Sequence, residues 1–213
     1  MRILLIAVLG VMVLPAYAQV QLEPMNINHM NRGYFYASAP VVKQYAGFGG
    51  WGGSDNEYKP FPQEQAFEEN RLSIQIDTSS IVSFYGYKGY QLIISNATTD
   101  TLFFDAQDSR LDMIIQARNK FGIWQDIEYL SNSWCGNSYH TLYLPEQHYW
   151  AFRVPKYEGK QKTKLRAKLL YKTKPSGKAQ VMYSHTFLGS VNKGQFSKKK
   201  PYTPRGIMDP YDQ

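Results

Sequence analysis

After residue 70, apolar and polar side chains alternate in short runs of strict period two, and that rhythm admits strands while excluding helices. Leu72, Ile74 and Ile76 alternate with Ser73, Gln75 and Asp77. Tyr90, Leu92 and Ile94 alternate with Gln91, Ile93 and Ser95. Leu111, Met113, Ile115 and Ala117 alternate with Arg110, Asp112, Ile114 and Gln116. Successive side chains on a strand point to opposite faces, so each run offers one apolar face to a core. Further candidate strands are Leu102 to Asp105, Ile123 to Tyr129, His140 to Leu144, His148 to Val154, Thr163 to Lys174 and Ala179 to Phe187. Turn residues at Asn96 to Asp100, Asn119 to Gly122 and Pro175 to Gly177 separate them. Eight or nine short strands joined by tight turns predict an all-β fold, an antiparallel β-sandwich over residues 71–190.

The flanks differ in kind. Residues 1–18 carry Arg2, an apolar run from Ile3 to Leu14 and an Ala16-Tyr17-Ala18 ending, the pattern of a signal peptide cleaved near Ala18. The expectation is an exported, soluble protein, periplasmic or extracellular, which no segment holds in a membrane. Residues 19–70 are poor in aliphatic side chains but rich in Tyr, Phe, Gly and Pro, with Gly47-Phe48-Gly49-Gly50-Trp51-Gly52-Gly53 at the centre. Such a segment reads as an irregular arm, with too many aromatics to be an inert linker, and docking on the sandwich is expected. Residues 191–213, with Lys198-Lys199-Lys200-Pro201 and little apolar content, read as a flexible basic tail.

Three short motifs carry a family resemblance: Leu92-Ile93-Ile94-Ser95-Asn96-Ala97-Thr98, Asn119-Lys120-Phe121-Gly122-Ile123-Trp124 and Leu142-Tyr143-Leu144-Pro145. Over roughly residues 70 to 190 the chain resembles immunoglobulin-like β-sandwich domains of exported bacterial proteins. The same motifs are similar to those of bacterial proteinase-inhibitor sandwiches. The resemblance implies a fold, and an immunoglobulin-like sandwich is the expected one.

Charge is segregated along the chain. Residues 19–155 hold 9 Lys+Arg against 14 Asp+Glu, a balance of −5, whereas residues 156–200 hold 13 against one, a balance of +12. Lys160, Lys162, Lys164, Arg166 and Lys168 recur at period two and resume at Lys172 and Lys174, with Leu165, Ala167, Leu169 and Tyr171 in the other phase. On a strand this makes a basic ladder above a core face. It reads either as a docking surface for an anionic partner or as solvated lysines that discourage edge-to-edge aggregation. Export argues against nucleic acid as that partner.

Catalytic and metal chemistry find little support. Cys135 and His140 are near in sequence, but no third group orients them, and a lone exported cysteine is expected to be buried and inert. His29, His148 and His185 are too dispersed to mark a zinc site. Asp105, Asp108 and Asp112 fall where loop and strand-face acids are ordinary. Asn96-Ala97-Thr98 matches a glycosylation acceptor and is read as a turn. Trp124 and Tyr149 fall in the outward phase of their strands, where flat rings either stack on sugars or are covered by the arm.

The expected function is therefore that of a non-enzymatic interaction module without a cofactor or metal. It would dock an envelope or extracellular protein, or an anionic glycan, through the basic face. A secreted protease inhibitor and a carbohydrate-binding or carbohydrate-active protein are the alternatives.

Overall fold

The computed structural model describes residues 21–42, 54–62, 67, 70–131, 133 and 136–197. Residues 1–20, which include the segment read as a signal peptide, the Gly-rich stretch, Trp134, Cys135 and residues 198–213 lie outside the described residues. Among the described residues the chain is mostly β, with antiparallel sheets and only two short 3-10 turns. No helix there is long and apolar enough to cross a membrane. The strands are β1 (Asn31–Arg32), β2 (Lys59–Pro60), β3 (Leu72–Phe84), β4 (Tyr87–Asn96), β5 (Leu102–Gln107), β6 (Arg110–Leu111) and β7 (Met113–Arg118). They continue with β8 (Trp124–Asp126), β9 (Glu128–Tyr129), β10 (Tyr139–Leu144), β11 (His148–Pro155), β12 (Gln161–Tyr171), β13 (Gln180–Tyr183) and β14 (Phe187–Val191).

One sheet runs β2-β11-β4-β3 and a second runs β13-β12-β7-β8, with β14 also paired to β12. A smaller sheet, β10-β5-β6, adjoins the second through a bridge between Phe103 and Lys172. The two main sheets share one core. Leu72, Ile74, Ile76, Leu92, Ile94 and Trp150 from the first meet Met113, Ile115, Ala117, Leu165, Ala167 and Leu169 from the second. The apolar phase of the sequence alternation is buried: Leu111, Met113 and Ala117 are fully buried and Ile115 is 1% exposed, but the phase read as outward is largely buried as well, at Arg110, Ile114 and Gln116, because other parts of the chain cover that face.

Three of the sequence runs are broken where a neighbouring strand intervenes. The run from Leu111 bends at Asp112, because β6 pairs with β5 while β7 pairs with β12. The run Ile123 to Tyr129 divides into β8 and β9, which pairs in parallel with β1. The run Ala179 to Phe187 divides at Ser184. There the Ala167 N–H donates to the Ser184 Oγ (2.9 Å), while the Ser184 N–H donates to the Ala167 carbonyl (3.0 Å). That side chain occupies a place in the ladder, so β13 and β14 meet β12 with a bulge between them.

The segment before residue 70 is built into the fold. Phe35 and Ala37 are fully buried and Met25 and Met30 nearly so. The carbonyl of Phe35 accepts from Leu111 N–H (3.0 Å) and Ala37 N–H donates to Ser109 (2.8 Å). The Trp150 indole donates to the Ser38 carbonyl (3.1 Å). Residues 192–197, read from composition as the start of a tail, form the turn Lys193–Phe196. It is tied to the same segment by Asn192 to Ile27 (2.9 Å) and Gly194 to Asn28 (2.8 Å). Gln195 is fully buried there.

The β3–β4 hairpin turns on Tyr85 (φ 44°) and Gly86 (φ 85°), both left-handed, with Phe84 paired to Tyr87. Two left-handed residues define the turn that suits strand twist, which favours Asn-Gly over Tyr-Gly. Tyr85 is 77% exposed, so its ring gains little to offset the backbone cost. Replacing Tyr85 with Asn is expected to raise stability by about 0.5 to 1 kcal/mol in urea unfolding. An unchanged or lower midpoint would mean that the edge contact of Tyr85 with Phe84 (4.9 Å) outweighs the strain.

Candidate functional site

On β12 the core phase is closed: Leu165 is 2% exposed, and Ala167 and Leu169 are fully buried. The opposite phase faces out, with Lys160, Lys162 and Lys164 exposed and Arg166 and Lys168 half-buried. A rise near 3.4 Å per residue sets the cations from Lys162 to Lys168 about 7 Å apart, with Lys160 in the bend just before the strand.

The neighbouring strands complete the face. Lys164 pairs with Leu188 on β14, and Leu165 pairs with Ala117, which brings Arg118 of β7 alongside Lys164. Arg118 pairs in turn with Trp124 of β8. Cross-strand partners share a face, so Leu188, Lys164, Arg118 and Trp124 form one row across the sheet. Leu188 stands 78% exposed within it. In the next row the Arg166 guanidinium lies 3.6 Å from the Tyr183 ring centre and 4.2 Å from that of Trp124. Its Nε donates to Gln116 Oε1 (2.9 Å), and Gln116 Nε2 donates to Asp126 Oδ1 (2.7 Å). Arg118 lies 5.2 Å from the same Trp124 ring. Two guanidinium groups therefore rest on Trp124, which holds cations in place by cation–π attraction and is no bare platform for a sugar ring.

The far end of the ladder differs from its beginning. Lys172 follows β12 and forms an ion pair with Asp105 (2.7 Å). Lys168 faces the carboxyl of Asp112, which burial raises above the usual carboxylate range and Lys168 draws back down. Lys174 stands exposed beyond the strand, in the turn that follows. Among the described residues no ion pair is made by Lys160, Lys162, Lys164 or Arg118.

Tyr149 belongs to the other sheet, on β11. Its ring meets Phe67 (5.8 Å), which stacks on Phe61 (4.0 Å), so aromatics from the segment before residue 70 cover it. Trp124 and Tyr149 are not brought together. His140 rests against the Ser138 carbonyl (3.3 Å), and its suggested partner Cys135 lies outside the described residues. No group of three or more His, Cys, Asp or Glu side chains placed to hold a metal occurs among the described residues.

Arg118, Gln116, Tyr183 and Leu188 are the members of the face that sequence reasoning missed. Gln116 and Arg118 continue the outward phase of Arg110, Asp112 and Ile114, which was available as a signal. Pairing β14 to β12 was not, because the register across strands leaves no periodic mark. No protein-family model, no curated protein and no solved structure matches the chain.

Proposed function

We propose that the protein is an exported, non-enzymatic binding module that docks a linear anionic glycan along β12. The observation that carries this reading is the pair Lys162 and Lys164 on β12 with Lys160 in the bend before it, all exposed, widened by Arg118 and by Arg166 held between Trp124 and Tyr183. Repeated cations about 7 Å apart suit a polymer that repeats its own charge, more than the irregular acidic patch of a folded protein. Gatekeeping against edge pairing accounts less well for Arg166 and Lys168, where β12 has neighbours on both sides, than for Lys162 and Lys164, which pair with β14 alone. The signal-peptide pattern of residues 1–18 supports export, and the two antiparallel sheets over one core support the immunoglobulin-like resemblance of residues 70 to 190.

The test is binding of polygalacturonate and dextran sulfate, with neutral dextran as control. The protein is expected to bind both charged polymers, more weakly as salt rises, and to leave dextran unbound. Changing Lys160, Lys162 and Lys164 to Gln is expected to weaken binding about tenfold without altering thermal unfolding, since all three side chains are exposed. Equal binding by the variant would overturn the assignment.

A further inference from the structure

A cleft of about 660 Å³ opens beside the β3–β4 hairpin, lined in part by Tyr34, Tyr36, Asp55, Asn56, Tyr85 and Arg153. Its size is that of a small-molecule site. Part of the lining is aromatic and fixed. The Tyr34 hydroxyl donates to Glu128 (2.8 Å), the buried Phe84 ring stands edge-on to Tyr34 (4.7 Å), and the Tyr85 ring stands edge-on to Phe84 (4.9 Å). Tyr85 is the exception in this row, because it is 77% exposed on a left-handed backbone (φ 44°) and neither packing nor turn geometry favours a tyrosine there. Backbone strain with no structural return is concentrated at functional positions. The rest of the lining is polar and little engaged. Asp55 and Arg153 are both exposed, and among the described residues neither makes an ion pair. The Arg153 guanidinium makes one long contact, Nη1 to the Ser83 carbonyl (3.3 Å), which leaves its other donors free. Asn56 Nδ2 donates to the Tyr36 carbonyl (3.1 Å), and its Oδ1 accepts nothing among the described residues.

We propose that this cleft binds a neutral saccharide, one ring of which stacks on Tyr85 while its hydroxyls bond Asp55, Asn56 and Arg153. A pyranose has a flat C–H face and a rim of hydroxyls that both donate and accept. The exposed phenol ring supplies apolar area for that face. The carboxylate and the amide oxygen accept from hydroxyls, and the guanidinium donates to them. One carboxylate and one guanidinium balance in charge, which favours an uncharged, hydroxyl-rich ligand over a simple anion or cation. The row Tyr34, Phe84 and Tyr85 is already packed, so little freedom is lost there on binding. No residue of the β12 face lines the cleft, so this site is separate from the proposed polyanion face and does not depend on it.

The test is titration of the ¹⁵N-labelled mature protein with cellotriose, chitotriose, xylotriose and maltotriose, following the backbone amides of Asn56, Tyr85, Gly86 and Arg153. Sorbitol, which carries hydroxyls without a flat ring, is the control. A saturable shift of these amides with at least one trisaccharide is expected, and none with sorbitol. Tyr85→Asn suits the turn and should unfold no earlier than the native protein, so an expected tenfold or greater loss of binding reports the ring and not the fold. Tyr85→Phe keeps the ring and should retain binding. Asp55→Ala and Arg153→Gln, both at exposed side chains, are each expected to weaken binding about tenfold. Full binding by Tyr85→Asn, an equal response to sorbitol, or no saturable response to any of the four trisaccharides would overturn the proposal.

Discussion

Replacing Phe35 with alanine is expected to cost about 3 to 5 kcal/mol of stability, enough to leave a protein of this size marginal. Phe35 is fully buried, with its ring edge-on to Phe152 (5.7 Å) and tilted against Tyr34 (4.6 Å). Deleting the ring removes its burial and leaves a cavity between the segment before residue 70 and the first sheet, where Trp150 and Phe152 are anchored. The surroundings cannot collapse easily, because the Phe35 carbonyl is fixed by Leu111 and the next turn of chain by Ser109. Urea unfolding should show a large fall in midpoint at unchanged slope. Val41→Ala, at a side chain 84% exposed, is the control and should change stability by no more than about 0.5 kcal/mol. A loss below about 1 kcal/mol for Phe35→Ala would mean that the segment is an appendage.

That contrast shows which physical signals a sequence carries. The strand faces were legible because burial on one side imposes period two, and Leu72, Ile74, Ile76 and Leu92 are buried in that phase. Among its described residues the segment holding Phe35 makes only two-residue strands and isolated bridges, such as Ser38 with Glu57 and Tyr36 with Arg110. Contacts of that kind impose no period, so only the density of aromatics betrayed its docking. Arg110 illustrates a second limit: its phase along the strand is outward, yet it is buried under Tyr36 and the Gly33 carbonyl. A period tells which face a residue takes and says nothing of what another part of the chain lays over that face. The basic ladder was legible for the same reason as the core. Its neighbours on β7, β8 and β14 depend on strand register, and Lys172 met Asp105 through a bridge outside the regular strands.

Glu128 should make stability depend on pH in the neutral range, in the sense opposite to an ordinary ion-paired carboxylate. It is 1% exposed, and burial pushes its carboxyl from 4.5 up to about 7. Three donors oppose that rise: Tyr157 Oη (2.6 Å), Tyr34 Oη (2.8 Å) and the Ile115 N–H (2.8 Å). Asp126 is the other charge acting on it and adds to the rise. Both tyrosines are themselves held well above their usual range by burial and by Glu128, so they remain donors throughout. The folded state keeps a proton that the unfolded chain gives up near pH 4.5. The contribution of Glu128 to stability is therefore greatest below that pH, falls as the pH rises towards about 7, and levels off beyond it, a total loss of about 3 kcal/mol. Glu128→Gln cannot ionise, so its stability relative to the native protein should improve by about 3 kcal/mol between pH 4.5 and pH 8. Parallel curves for the two proteins would remove Glu128 as the source. The loss should be felt first where the carboxyl holds the chain together: Tyr34 belongs to the segment before the sandwich, and Asn31 donates to the Tyr157 hydroxyl (3.1 Å). Amide exchange at Asn31 and Gly33, bonded to Ile127 and Tyr129, should therefore quicken between about pH 5 and pH 7 by more than the intrinsic rate, and Glu128→Gln should abolish that excess.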